Sequence, residues 1–194
     1  MISGPSGAGK STVVSKAMEQ RDDLCFSVSV TTRAPRTGEV DGRDYFFITQ
    51  ERYDEMVRDG ELLEHARYVS NSYGTPRRYV EEKLAAGINV ALDIEIQGAR
   101  QVREKMPDTV MIFVTPPSMA ELRRRLSGRG TETPENVEAR IRRAQQELVE
   151  AESYDYLIIN DDLDRATAEF MAILTAEQCR LDPVFTRRLA DEKV

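Results

Sequence analysis

The first residues of the chain include a glycine-rich segment that ends in a lysine and a serine. Residues 4–11 read Gly-Pro-Ser-Gly-Ala-Gly-Lys-Ser and match the pattern Gly-x-x-x-x-Gly-Lys-Ser. Glycines at this spacing allow a tight turn whose backbone N–H groups, together with the N-terminus of the following helix, attract phosphate. Lys10 is expected to reach the β- and γ-phosphates of a nucleoside triphosphate, and Ser11 to bind Mg²⁺ through its hydroxyl group. The predicted phosphate-binding residues are Gly4, Pro5, Ser6, Gly7, Ala8, Gly9, Lys10, Ser11 and Thr12.

The alternative for this segment is a glycine-rich turn that matches the pattern by chance, and the predicted helix start at its end makes that alternative less favoured. A phosphate-binding loop of this kind follows a strand, and strands usually have about five residues. Only Met1, Ile2 and Ser3 precede Gly4. Either the first strand is very short, or the chain lacks natural upstream residues.

A second anion site is indicated by the segment Thr32-Arg33-Ala34-Pro35-Arg36-Thr37-Gly38-Glu39. Two guanidinium groups can bind one phosphate through paired hydrogen bonds, and Pro35 restricts the backbone between them. The hydroxyl groups of Tyr45 and Tyr73 would add donors. For such a loop taken alone, a solvated basic surface is the default interpretation.

The spacing of charges singles out arginines in the second half of the chain. Arg142 has an acid four residues earlier and Arg143 has one four residues later, whereas Arg140 has none at helical spacing. Arg140 is therefore a candidate for binding an external phosphate, and a solvated arginine is the alternative. Arg129 lies between two glycines in a segment between two predicted helices, where a hinged lid would lie, so it is the first candidate for contacting the transferring group.

The elements that must position these residues alternate between strand and helix. Apolar runs indicate strands that are covered on both faces, as in a parallel sheet. Thr75-Pro76 reads as an N-cap and first helical residue, and Thr133-Pro134 reads in the same way. The pattern predicts an α/β fold with a doubly wound parallel sheet, interrupted by a less regular segment at residues 30–80. Strands are expected at 26–30, 45–48, 88–94, 109–115 and 156–159, and helices at about 10–20, 50–59, 75–86, from 118, from 133, and at 164–181.

Seven short blocks resemble the signatures of the guanylate kinase family and occur in the same order. They are Phe26-Ser27-Val28-Ser29-Val30-Thr31-Thr32-Arg33, Gly38-Glu39, Gly42-Arg43-Asp44-Tyr45, Tyr73-Gly74-Thr75, Asp93-Ile94-Glu95-Ile96-Gln97-Gly98, Gly128-Arg129-Gly130-Thr131-Glu132-Thr133 and Asn160-Asp161-Asp162-Leu163. The resemblance covers residues 2–174. It implies one domain over residues 1–182, with a P-loop core at about 1–30, 80–127 and 152–182, a GMP-binding insert at about 31–79 and a lid at about 128–151. A charged tail would follow at 183–194.

The resemblance also implies an activity, which is transfer of the terminal phosphoryl group of ATP to GMP with Mg²⁺. Lys10, Arg129 and Arg140 would stabilise the transferring group. Arg125 would stack on adenine and Asn160 would lie near it. The residues implied for the GMP phosphate are Arg33, Arg36, Tyr45 and Tyr73, and those implied for guanine are Glu64, Thr75 and Ser29.

The chemistry of guanine agrees with these roles. Its N1–H and N2–H₂ donors lie side by side, so that one carboxylate can accept from both, and its O6 can accept from a threonine hydroxyl. Adenine has no N1–H and would leave a buried Glu64 unpaired. From the residues alone, a surface carboxylate is the default interpretation of Glu64, and a helix cap is that of Thr75. Asp93, which ends an apolar strand, could hold Mg²⁺ or touch the guanine or ribose, and the sequence does not separate these roles.

Composition excludes several other classes of protein. The chain has 194 residues and a formal net charge of −7, which disfavours binding to a nucleic acid polymer. It has no apolar run long enough for a membrane span. Cys25 and Cys179 have no metal-site spacing and read as reduced thiols, which favours the cytoplasm.

His65 is not expected to be catalytic. A guanylate-kinase-like scaffold and a kinase for another phosphorylated acceptor are the competing functions, and the oligomeric state is not predicted.

Overall fold

The computed structural model describes residues 1–68, 70–128, 133–181, 186, 187 and 191. The strands among these residues are β1 (Ile2–Ser3), β2 (Leu24–Phe26), β3 (Val30–Thr31), β4 (Phe46–Phe47), β5 (Leu62–Tyr68), β6 (Asn71–Pro76), β7 (Asn89–Ala91), β8 (Ile112–Thr115) and β9 (Tyr156–Ile159). The helices are α1 (Lys10–Met18), α2 (Gln50–Arg58), α3 (Arg77–Ala85), α4 (Ile96–Lys105), α5 (Met119–Ser127), α6 (Pro134–Val149) and α7 (Leu163–Gln178). A short 3₁₀ helix spans Glu150–Ser153.

A parallel sheet forms the core of the molecule. β8 lies between β1 and β9, and β7 pairs with β2, with all of these pairings parallel. Ile2 joins the two sets of strands, because it bridges to Asp93 and its N–H donates to the Leu92 carbonyl at 2.8 Å. The order across the core is therefore β2–β7–β1–β8–β9. All four residues of β8 are buried, as expected for a strand covered on both faces.

Helices cover both faces of this sheet. On one face, α1 and α7 pack together through residues such as Val13 and Phe170. On the other face, α3 and α4 contribute Val80 and Val102 to a second apolar cluster. The predicted α/β class with a doubly wound parallel sheet is thus confirmed. The carboxyl ends of the strands meet at one edge, which is where ligands bind in open α/β sheets.

The less regular segment forms a second sheet with the order β4–β3–β6–β5. β6 pairs antiparallel with both β3 and β5, and β5 is an outer strand. Helix α2 contributes Tyr53 and Met56 to a small core with Val30 and Leu62. This sheet gives the segment a core of its own beside the parallel sheet.

Two expectations about local structure are wrong. The expected strand at residues 26–30 is broken at residues 27–29, because the chain leaves the core sheet after β2 and joins the other sheet at β3. Thr75 is not an N-cap: it lies in β6, and Pro76 occupies the cap position of α3 without a side-chain hydrogen bond. The Thr75 hydroxyl donates instead to the carboxylate of Glu64, which lies opposite it on β5.

The N-cap predicted at Thr133 is confirmed, and a serine side chain caps α5. Thr133 accepts from the Asn136 N–H at the start of α6, and Ser118 accepts from the Glu121 N–H at the start of α5. Pro134 occupies the first turn of α6. Among the helices in the described part of the chain, none combines the length and the apolar character that crossing a membrane requires.

Candidate active site

The glycine-rich segment forms a tight loop between β1 and α1. Gly4, Gly7 and Gly9 have φ values of 138°, 95° and 88°, a region that side chains other than glycine rarely adopt. A Cβ atom at Gly4 would also overlap the carbonyl oxygen of Val114 on the neighbouring strand. The loop can therefore approach β8 only because this position is glycine. Its backbone N–H groups and the N-terminus of α1 meet at the carboxyl edge of the sheet, where they can bind phosphate.

The Lys10 side chain lies against the backbone of this loop. Its ammonium group donates to the Gly4 carbonyl at 2.8 Å and lies 3.8 Å from a carboxylate oxygen of Asp93. The Asp93 side chain is 31% exposed. Burial raises the pKa of Asp93, and the charge of Lys10 opposes that shift. The two predicted residues thus lie together beside the loop.

Asn160 and Arg125 bind the backbone of the loop at Ala8. The buried Asn160 amide donates to the Ala8 carbonyl at 2.8 Å, and a Cβ atom at Gly9 would collide with that amide. Arg125 donates to the Asn160 backbone carbonyl at 2.8 Å and to Glu121 at 2.7 Å. Hydrogen bonds from Arg124 and Arg125 lower the pKa of Glu121 to about 2.

Arg140 reaches the loop from α6. One of its guanidinium nitrogens donates to the Ser6 hydroxyl at 3.3 Å. This contact brings a side chain from the predicted lid onto a residue of the phosphate loop, 134 positions earlier in the chain. The first lid candidate, Arg129, lies outside the described residues.

A cluster of one arginine and several aromatic rings lies on the second sheet. The Arg33 guanidinium lies 5.4 Å from the centre of the Tyr45 ring and 5.8 Å from that of Phe47. The rings of Tyr45 and Tyr73 have centroids 6.2 Å apart. Three of the four residues predicted for the acceptor phosphate therefore lie together.

The fourth residue, Arg36, is exposed, and its backbone N–H donates to Glu39 at 2.7 Å. Glu39 also accepts two hydrogen bonds from Arg33, at 2.8 and 3.0 Å. One carboxylate thus orders the whole arginine loop, including the backbone of its exposed arginine.

The residues predicted to recognise guanine form a separate buried pair. Glu64 is 6% exposed and accepts a 2.6 Å hydrogen bond from the Thr75 hydroxyl, so it is not a surface carboxylate. Burial raises the pKa of Glu64. Thr75 and Tyr73 are two residues apart on β6 and share one face of that strand, about 7 Å apart along it. The predicted base site and phosphate site thus lie along the same face of β6.

Ser29 shows no comparable feature. It is half-buried, and its backbone carbonyl accepts from the Phe46 N–H at 2.9 Å. His65, directly after Glu64, is exposed.

Comparisons with known proteins identify the family of this chain. A sequence model of the family described as guanylate kinase matches residues 1–177. The chain belongs to the guanylate kinase family. It is 48% identical to the guanylate kinase of Lactococcus lactis over 187 residues, covering 96% of this chain and 91% of that protein. It is 50% identical to the guanylate kinase of Rubrobacter xylanophilus over 174 residues, covering 90% and 91%.

A solved structure gives the same result for the fold of this guanylate kinase family member. The crystal structure of guanylate kinase from Anaplasma phagocytophilum is similar with a TM-score of 0.72 and 39% sequence identity. The match covers 92% of this chain and 85% of that one.

Sequence reasoning missed two groups in this member of the guanylate kinase family. Glu39 has no role among the predictions from the sequence, although its position six residues after Arg33 puts both ends of one loop within reach of each other. The contact between Gly98 and Glu64 joins residues 34 positions apart, and no local spacing rule could have found it.

Proposed function

We propose that this chain transfers the terminal phosphoryl group of ATP to GMP, giving ADP and GDP. The observation that carries the proposal is the buried Glu64 carboxylate with its Thr75 partner, on the same face of β6 as Tyr73. A buried carboxylate suits the two adjacent N–H donors of guanine, and the arginine cluster beside Tyr73 suits the phosphate of the same nucleotide. Family membership supports the same substrates.

ATP is proposed to bind at the glycine-rich loop. The loop N–H groups and α1 would hold its phosphates, and Lys10 would leave the Gly4 carbonyl to reach the β- and γ-phosphates. Arg125 and Asn160, which contact the loop at Ala8, would border the adenine. Thr12, in the first turn of α1, completes this proposed site.

Mg²⁺ is proposed as the metal of the reaction. The described residues contain no cluster of three or more His, Cys, Asp or Glu side chains that could hold a metal by themselves. Mg²⁺ bound to a nucleotide needs only one or two protein oxygens besides the phosphates and water, and Ser11 with Asp93 can supply them. When bound, Mg²⁺ neutralises charge on the β- and γ-phosphates. We assign Asp93 to this side because its carboxylate lies near Lys10 rather than on the second sheet.

The chemistry of the transfer requires positioning and positive charge more than a base. Arg33 and Arg36 would bind and orient the GMP phosphate, with Tyr45 and Tyr73 as hydroxyl donors and Ser29 beside the base. Arg140, already at the loop through Ser6, would stabilise charge on the transferring group together with Lys10 and Arg129. Three sections are proposed: a core, a GMP-binding insert at about 31–79 and a lid at about 128–151 that excludes water. We propose that this reaction takes place in the cytoplasm, where Cys25 and Cys179 would stay reduced.

A coupled assay for ADP tests the proposal. The protein is given ATP, Mg²⁺ and one acceptor at a time from GMP, AMP, CMP and UMP. We expect GMP to be preferred over AMP on the order of 10⁴-fold or more in kcat/KM, because adenine leaves the buried carboxylate unpaired. A Lys10→Met variant serves as the control and should lose transfer while it still binds GMP.

Two outcomes would contradict the proposal. Equal turnover of AMP and GMP would remove the guanine assignment. Binding of GMP without turnover of any acceptor would favour a scaffold that keeps the nucleotide site without the chemistry.

A further inference from the structure

We propose that Gln101 and Gly98, on one face of α4, are positioning residues that hold Glu64 in the orientation needed to distinguish guanine from other bases. This inference rests on the proposed transfer to GMP. It concerns how one helix of the core sets the direction of a carboxylate on the insert sheet. Neither residue is proposed to touch a substrate.

Gln101 binds the backbone directly beside Glu64. Its side-chain nitrogen donates to the His65 carbonyl at 3.1 Å, and its side-chain oxygen accepts from the His65 N–H at 3.1 Å. β5 is an outer strand of its sheet, so this edge offers an N–H and a carbonyl that a further strand would pair. The Gln101 amide pairs with both groups, as a peptide group of that further strand would do. The backbone at Glu64 is thereby fixed on both sides of the strand.

Gly98 lies one turn earlier on α4, against the carboxylate itself. A Cβ atom at this buried position would lie 2.9 Å from a carboxylate oxygen of Glu64 and 3.4 Å from its Cδ. Cβ atoms in proteins essentially never lie as close as 2.9 Å to another heavy atom of this kind, so any side chain here would force Glu64 to move. The absence of a side chain at Gly98 therefore sets where the carboxylate can lie.

Lys105, one turn further along α4, also contacts β5. Its ammonium group donates to the Leu62 carbonyl at 2.9 Å. Gly98, Gln101 and Lys105 are spaced by three and four residues, which places them on one face of the helix. β5 also has a bulge between Leu62 and Glu64, a feature that redirects side chains. Contacts on both sides of the bulge would hold the Glu64 side chain in one direction.

A simpler explanation is that these contacts only attach the insert to the core. The two explanations differ in what they predict for base selection. Loose attachment would lower kcat/KM for GMP and for every other acceptor by the same factor. A misdirected Glu64 would lower kcat/KM most for the acceptor that donates two hydrogen bonds to its carboxylate. IMP is the informative comparison, because hypoxanthine has the N1–H of guanine but lacks the 2-amino group.

The first test is a Gln101→Met variant, which keeps the length of the side chain and removes both hydrogen bonds to His65. We expect kcat/KM for GMP to fall about tenfold and the GMP:IMP preference to fall by a similar factor, as for the loss of one well-aligned hydrogen bond. The KM for ATP should stay within about twofold of the wild type, because the phosphate loop is untouched. Gln20→Met, at an exposed position just after α1, is the matched control and should change neither quantity.

The second test is Gly98→Ala, which acts on the carboxylate rather than on the strand. Alanine favours a helix more than glycine does, so this variant is expected to fold even if Gln101→Met does not. We expect the same loss of GMP:IMP preference, with kcat for the residual reaction less affected than KM for GMP. Thermal unfolding of both variants verifies that folded protein is being assayed.

The outcomes separate this inference from the proposed function. If the wild type does not phosphorylate GMP, the proposed function fails. If the wild type prefers GMP and the folded variants keep that preference within about twofold, the positioning role is overturned while the proposed function stands. Equal losses for GMP and IMP, or a raised KM for ATP, would also overturn it, in favour of simple attachment. Loss of the GMP:IMP preference with an unchanged KM for ATP supports it.

Discussion

Glu64→Gln is the most informative single change in this molecule, because it removes one charge and one acceptor from a buried site with almost no change in shape. Thr75 donates to one carboxylate oxygen at 2.6 Å. A glutamine has a single side-chain oxygen, and its NH₂ group can only donate. That oxygen can accept from Thr75 and from one guanine donor. The other guanine N–H must then face the NH₂ group.

The expected loss follows from this arrangement. A hydrogen bond to a charged group contributes about 1.5–3 kcal/mol, and a buried donor left without a partner costs about 1–3 kcal/mol. Taken together, about 2.5–6 kcal/mol of transition-state stabilisation should disappear, which corresponds to a ~70- to ~25,000-fold lower kcat/KM for GMP. The phosphate loop is unchanged, so the KM for ATP should stay close to the wild-type value.

The assay is steady-state ADP production with GMP varied at saturating ATP, repeated with ATP varied. Glu104→Gln, at an exposed position of α4, makes the same chemical change away from the buried pair and is the control. A loss smaller than about threefold, or an unchanged preference for GMP over AMP, would refute the assignment of Glu64 to the base. A parallel loss in ATP binding would show that the change had disturbed the fold instead.

Three further predictions concern the rate, the pH dependence and the loop. Arg140→Ala should lower kcat by at least ~10²-fold with little change in the affinity for GMP, and a near-normal kcat would contradict its assignment to the transferring group. Burial raises the pKa of Glu64, whereas the guanine donors favour its ionised form. GMP binding should therefore weaken as the pH falls through that pKa, and it should release protons there. Calorimetry measures both effects. Without ligand, the contribution of Glu64 to stability is largest below its unfolded pKa and is lost as the pH rises through its folded pKa, and Glu64→Gln should remove this dependence in unfolding experiments. Gly4→Ala should abolish the thermal shift caused by ATP, because its Cβ would overlap the Val114 carbonyl; a normal shift would contradict that geometry.

The features that the sequence predicted well are those set by nearby residues. The phosphate loop is one, because its conformation follows from glycines within one turn of each other. The start of α6 is another, because Thr133 caps a backbone N–H only three residues away. β9 was predicted with its observed bounds, since a short apolar run between polar residues decides it. In each case the determining interaction is local.

The features that the sequence did not predict depend on contacts between distant segments. β5 and β6 contain Glu, Ala, Asn, Gly and Pro, which are poor strand formers, and they become strands by pairing with each other. Thr75 had the local signature of a helix cap, but a buried carboxylate on the facing strand takes its hydroxyl. Glu138 has Arg142 four residues later, yet it binds Arg123 on the neighbouring helix. Local rules identified the candidates, and tertiary packing selected among the possible partners.

Phosphoryl transfer requires the donor phosphate and the acceptor to be held in fixed relative positions, and here they are proposed to bind to different sheets. α4 is the element that connects the two. It begins three residues after Asp93, which lies beside Lys10, and its first turn contacts Glu64 through Gly98. Because a helix is stiff over ten residues, a shift of the base-binding carboxylate relative to the phosphate loop would have to move α4 or break its contacts with β5. The alignment of the two substrates would therefore depend on residues that touch neither of them.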